Sequence, residues 1–299
     1  MKNSYRHRKR RARRLRAALM LLCAAALLYG GVRLTQYALR AAATRRSDRA
    51  AQQIFEASPA PTDETAPSPA EAAAPEEALP EETPVPGGVY QYIGSELLPN
   101  MAALRAENRD IVGWIKVPGE INLPVLYRDN EYYLNHDFQG EVIDSGAPFL
   151  DEYTPFTAFS QLLVVHGHNM FDGSMFSPLL QYRKSAYASQ HGFLTFTTLF
   201  REETYLMLMA CDVPGDADTP GFIPYNANAR FDSETEFNAF IAALGNAAVC
   251  RSPLDVRADD ALLLLSTCRD DDRVVVLFRR MRDDETREGI LQQLTNNMN

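Results

Sequence analysis

The residues best suited to chemistry lie in LLLLSTCRDDDRVVVLF, positions 262 to 278. An unbroken apolar run ends on Cys268, a short polar turn follows, and a second apolar run opens with Arg273. A thiol at the end of a strand is held rigidly while its sulfur faces a groove. As a nucleophile it needs a base or cationic neighbour, and attack on a carbonyl needs a donor for the developing oxyanion. A guanidinium at Arg273 supplies paired donors for that charge. Arg269 adjoins the thiol and competes for the role, but neighbours on an extended chain point to opposite faces, which favours Arg273. Asp270, Asp271 and Asp272 oppose thiolate formation; their plain reading is a solvated turn.

The base must be a histidine brought in from elsewhere. Beyond the basic first segment the histidines are His136, His166, His168 and His191, and two of them stand in LLVVHGHNMFDG, again where an apolar run ends. A strand ending in HGHN beside one ending in STC brings imidazole and thiol together. Gly167, between the histidines, lets the chain turn sharply. Other readings stay open. His166 can be a core histidine donating to a neighbouring carbonyl. The two histidines can also hold a metal with Cys268 or Asp172 as third ligand, although no ligand spacing points to one. No cofactor is expected.

The remaining thiols bear on this choice. Free cysteine usually packs as a small hydrophobe, and Cys211 inside YLMLMACDV fits that pattern. Cys250 follows a helical stretch in a polar turn with no partner group, and Cys23 lies in an apolar run. There is no CxxC pair and no disulfide framework, so a lone thiol outside the cytoplasm is a candidate for chemistry.

These groups need a rigid frame. INLPVLY, APFLD, LLVVH, FLTFTT, YLMLMACDV, ALLLLST and RVVVLF are short apolar or alternating runs separated by turn-rich segments. Seven or eight such strands predict a mainly β barrel or sandwich. Leu97, Leu98, Met101, Leu104 and Ile111 recur at helical spacing and predict one or two short helices leading into the fold. MFSPLLQYRKSAYA and SETEFNAFIAALGNA interrupt the strands as helices, the second opened by a capping box of Ser233 and Glu236.

The ends differ from the middle. The 299-residue chain carries a formal charge of −9, yet residues 1 to 49 hold 14 Lys/Arg against one acid. The remainder is therefore strongly acidic, which argues against a nucleic-acid partner. Residues 1 to 16 form a basic tail, and Ala17 to Val32 is an uncharged run of 16 residues. A spanning helix needs roughly 20, which snorkelling Arg16 and Arg33 with Leu15 and Leu34 would approach. We expect a single-pass signal anchor over 17–34 with the tail inside and the body outside the cell membrane. The rival is a signal peptide cleaved near AAATRR, whose site lies too far beyond the apolar run. After a juxtamembrane segment at 35–57, residues 58–88 hold eight prolines, seven acids and no Lys or Arg. Such a segment cannot form a core. As a stalk it would reach on the order of 90 Å at about 3.1 Å per residue. The catalytic domain is expected at 89–283 and a polar tail at 284–299.

In DIVGWIKVPG, INLPVLY, DNEYYLNHDF, GAPFLD, VVHGHNMFDGSMFSPLLQY, LLLLSTC and RVVVLF, in that order over about residues 90 to 282, the chain resembles the sortases. The helical lead-in and the helix at 233 to 247 resemble class B. The resemblance implies an eight-stranded sortase-type β-barrel with N-terminal helices and an extra helix before the cysteine strand. It also implies a transpeptidase using His168, Cys268 and Arg273. The thiolate attacks the Thr carbonyl of a C-terminal sorting signal, often NPQTN-like. The imidazolium protonates the leaving amine, and an amine of a peptidoglycan precursor or a pilin resolves the acyl-enzyme. Surface proteins carrying a sorting motif are the implied partners. Ser266 and Thr267 are expected to touch substrate. Two departures stand out: His166 replaces the more usual Tyr of YGHN, and only four residues separate Cys268 from Arg273. A cysteine hydrolase with the same site and a non-catalytic surface domain are the competing functions.

Overall fold

The computed structural model describes residues 2–57, 96–154 and 160–297. The stalk expected at 58–88 lies outside them. The alternating runs become strands in the expected order: β1 (Ile111–Val117), β2 (Ile121–Leu126), β3 (Phe149–Leu150), β4 (Leu162–His166), β5 (Phe193–Thr198), β6 (Glu202–Pro214), β7 (Ala248–Arg251), β8 (Leu262–Arg269) and β9 (Asp272–Arg280). They pair in the order β5-β1-β2-β3-β4-β8-β9-β6, and β6 returns to β5. Closure gives an eight-stranded β-barrel and removes the exposed sheet edges that would invite aggregation.

The length of β6 explains how a ninth strand fits. Its first residues, Glu202 to Leu206, pair with β5, and Met209 to Cys211 pair with β7. β9 lines its other edge from Tyr205 to Pro214. Two expectations change here. DIVGWI, taken as part of the helical lead-in, falls in β1, because Trp114 and Ile115 alternate against β2 and β5 partners. Cys250 sits in β7 rather than in a polar turn.

Side-chain alternation divides the strands near the site. Leu163, Val165, Leu263, Leu265, Val274, Val276 and Phe278 join the main core. Their neighbours Leu162, Val164, Leu262, Leu264, Val275 and Leu277 form a second cluster on the opposite face, with Phe237 and Leu244 of α4 (Glu234–Ala247). Burial of one such side chain contributes about 1.5–3 kcal/mol, so α4 is held by its apolar face. Its start is fixed as expected: Ser233 Oγ accepts from Glu236 N at 3.2 Å.

Of the other helices, α2 (Pro99–Glu107) leads into β1, and α3 (Ser185–Gln190) follows a 3₁₀ segment, Ser177–Arg183. Residues 284–299 are not a polar tail throughout. They contain α5 (Arg287–Asn297), whose Ile290 and Leu294 are buried against Phe193 and Leu206.

The N-terminal helix α1 runs Lys2–Ala57 and divides at Arg45 between two compact units. Within the barrel unit its last turns are anchored by Phe55 stacked on Trp114 at 4.4 Å and Gln52 Nε2 donating to Asn122 O at 2.7 Å. Among the described residues no helix is long and apolar enough to cross a membrane.

Candidate active site

Cys268 ends the second-face row of β8, at the rung where β8 and β9 pair Cys268 with Arg273. The Arg273 guanidinium donates to Cys268 Sγ. Arg269 leaves the opposite side of β8, as alternation requires, and its Nη1 meets Asp212 Oδ2 at 2.8 Å. Asp212 also accepts from Arg183 at 2.9 Å, so Arg269 belongs to an ion cluster on the other side of the sheet. Asp270 and Asp271 make the turn between the paired residues Arg269 and Asp272, with Asp270 at φ 53°. An Asp tolerates that left-handed conformation better than most residues do.

The other thiols are poor nucleophiles for a physical reason. Burial pushes the Cys211 thiol up to about 12, and it also raises Cys250. Cys268 alone of the three barrel thiols is partly exposed.

β4 runs parallel to β8 with a constant offset, from Leu162 opposite Leu262 to His166 opposite Ser266. The contact continues one step further, because Gly167 N donates to Ser266 O at 3.1 Å and Thr267 Oγ1 donates to Gly167 O at 2.7 Å. His168 follows two residues beyond the end of β4, where the chain turns to pair Asn169 with Met175. His168 Nε2 lies 2.8 Å from the Leu134 carbonyl, which therefore holds the ring. Gly167 does not supply a turn with positive φ; a Cβ there would lie 2.6 Å from the Phe176 ring, so close packing demands the glycine.

No family model matches the chain. Sortase B of Listeria monocytogenes is 26% identical over 178 residues, 59% of this chain and 70% of that protein. Sortase B of Staphylococcus aureus is 27% identical over 181 residues, 58% and 68% respectively. A solved Bacillus anthracis structure, described as similar to sortase B, aligns with a TM-score of 0.62 at 26% identity over 80% of this chain and 97% of its own. The chain belongs to the sortase family, class B. As a sortase it is a cysteine transpeptidase. A Staphylococcus aureus sortase B–substrate complex also aligns, with a TM-score of 0.56 at 26% identity over 63% of this sortase and 88% of that chain.

Two pairings in the sortase went unread in its sequence. His166 does not donate to a carbonyl; its Nε2 meets Asp151 Oδ2 at 2.8 Å. Asp151, fully buried just beyond β3, also accepts from Asn226 Nδ2 at 2.9 Å, Asn130 Nδ2 at 3.2 Å and Tyr153 N at 2.8 Å. Burial alone would raise this carboxyl, but the hydrogen bonds from His166, Asn226 and Tyr153 outweigh it and hold Asp151 below the ordinary carboxylate range. The signal in the sequence was the acid at the end of APFLD, a charge where an apolar strand stops.

The second pairing is Tyr225 OH with Ser266 Oγ at 2.9 Å. Ser266 and Thr267, expected to touch substrate, are each 1% exposed and have their hydroxyls engaged within the protein, on Tyr225 and Gly167. Their side chains build the frame of the site. Among the described residues no group of three or more His, Cys, Asp and Glu is arranged to hold a metal ion.

Proposed function

We propose that this sortase cleaves a C-terminal sorting signal after Thr through Cys268, His168 and Arg273 and transfers the acyl group to an amine. In this scheme the Cys268 thiolate attacks the Thr carbonyl. Arg273 donates to the carbonyl oxygen as it becomes negative, and His168 protonates the departing amine. A second amine, from a peptidoglycan precursor or a pilin, then displaces the thiol and regenerates it. The observation that carries the reading is the Arg273 guanidinium set against the Cys268 sulfur across one rung. The relatives add support, since an aligned Staphylococcus aureus sortase B is described in complex with substrate and a further aligned sortase B in complex with triglycine.

The basic tail at 1–16 and the apolar run that follows favour an N-terminal anchor over 17–34. Gln52 and Phe55 pack on the barrel before residue 58, so the segment at 58–88, expected as a stalk, joins two barrel-bound stretches rather than spacing the anchor from the barrel. On this arrangement the barrel is extracytoplasmic and meets surface proteins during their export. Fractionation tests the anchor: the full chain should stay with membranes after an alkaline carbonate wash, whereas release would remove it.

The reaction is tested by incubating the protein with NPQTN-type and LPxTG-type peptides, with and without an amine. An amine-dependent ligation product that vanishes in Cys268→Ala is expected. Cleavage without any amine-dependent product would favour a hydrolase. Unchanged activity in Cys268→Ala would remove the enzyme mechanism.

A further inference from the structure

His166 is held in a way that leaves one ring nitrogen for a ligand. Its Nε2 is committed to Asp151 at 2.8 Å, and among the described residues its Nδ1 takes no hydrogen bond. Its side chain is 22% exposed, whereas Asp151 is 1% exposed. The ring lies beside Phe149, with centroids 5.3 Å apart, and pairs across the sheet with Ser266, two residues before Cys268 on the same face. Its side chain therefore leaves the sheet on the face that carries Cys268.

Asp151 dictates which nitrogen donates. An ionised carboxylate only accepts, so His166 donates from Nε2, and in the neutral imidazole that tautomer leaves Nδ1 an acceptor. The same carboxylate holds the segment before α4: Asn226 donates to it at 2.9 Å, and the adjacent Tyr225 bonds Ser266 Oγ at 2.9 Å. One buried anion thus ties the ends of β3 and β4 to the segment before α4, and sets both the tautomer of His166 and the seat of Tyr225.

We propose that Asp151 and His166 form a specificity pair for the acyl donor, in which Asp151 is a positioning residue and His166 Nδ1 accepts a hydrogen bond from an N–H group of the bound peptide. The N–H belongs to a backbone amide or a carboxamide side chain upstream of the scissile bond. This inference rests on the sorting-peptide reading given under Proposed function. A tyrosine at position 166 would present a hydroxyl that both donates and accepts; a neutral imidazole tied through Nε2 only accepts at Nδ1, and in that form it discriminates for N–H donors.

The test uses the full chain and an NPQTN-type peptide panel. Each backbone N–H is methylated in turn, and each carboxamide side chain is replaced by leucine. With the native protein one panel member should lose on the order of tenfold in kcat/KM relative to the parent peptide. That penalty should vanish in His166→Ala and shrink in Asp151→Ala. His166→Ala should act on the parent peptide mainly through KM. Asp151→Ala should add nothing to the discrimination when combined with His166→Ala. Far-UV circular dichroism and the melting temperature report whether each variant keeps its fold. Identical ranking of the panel by native protein and His166→Ala overturns the pair while leaving the transpeptidase reading intact. Failure of the native protein to cleave any member while Cys268 remains alkylatable removes the sorting-peptide reading, and the pair with it.

Discussion

Cys268 and Arg273 are opposite residues of one antiparallel rung, and the guanidinium of Arg273 donates to the sulfur of Cys268. The five-residue separation follows from a two-residue turn, which places the arginine across from the thiol and on the same face. Arg269, one residue from Cys268 in sequence, is sent to the other face and neutralised by Asp212.

Arg273→Ala should therefore lower kcat/KM for acyl transfer by about 10²–10³, the usual cost of losing an oxyanion donor. Arg269→Ala should lower it by much less, through loosening of the Asp212 cluster. Steady-state kinetics with a cleaved sorting peptide compares them. Equal losses would mean that the face assignment does not decide the chemistry.

The two histidines should separate in the same assay. His168→Ala removes the proton donor to the leaving amine and should cost about 10²–10⁴ in kcat/KM. His166→Ala should act chiefly by raising KM. The opposite ranking would transfer the proton-donor role to the Asp151–His166 pair.

Gly167→Ala should destabilise the fold by about 1–3 kcal/mol, since the added methyl must displace the fully buried ring of Phe176. Denaturant unfolding reads the loss directly. A variant as stable as the native chain would show that Phe176 moves freely.

Asp48, in the part of α1 that belongs to the barrel unit, gives a pH dependence of opposite sign to that of an ordinary paired carboxylate. Burial, with Asp137 and Asp172 nearby, pushes it from 3.8 up to about 7. The folded protein then binds this proton more tightly than the unfolded chain. Its stability contribution is complete below about pH 4 and is lost as pH rises towards 7. Asp48→Asn should raise the melting temperature at pH 8 and change it little near pH 4. Melting curves that stay parallel across this range would contradict the assignment.

Much of the frame could be read from the chain because it is local. Apolar alternation marked the strands, and Ser233 with Glu236 marked the start of α4. Strand ends carrying STC and HGHN marked where reactive groups emerge. The same alternation puts Arg269 and Arg273 on opposite faces. β1 escaped because its apolar residues continue the helical spacing of α2, and β7 because four residues carry too little pattern to distinguish a strand from a turn.

What the sequence by itself determined, then, was which residues could meet: its short-range period sets the face on which each side chain leaves its strand. Only the tertiary structure decided which of them do. The pairing of β4 with β8 joins positions a hundred residues apart. The convergence of Asn130, His166 and Asn226 on Asp151 depends on barrel closure and on the seating of the segment before α4. Those partners are remote in sequence, and no local pattern encodes that a buried carboxylate must find its hydrogen bonds among them.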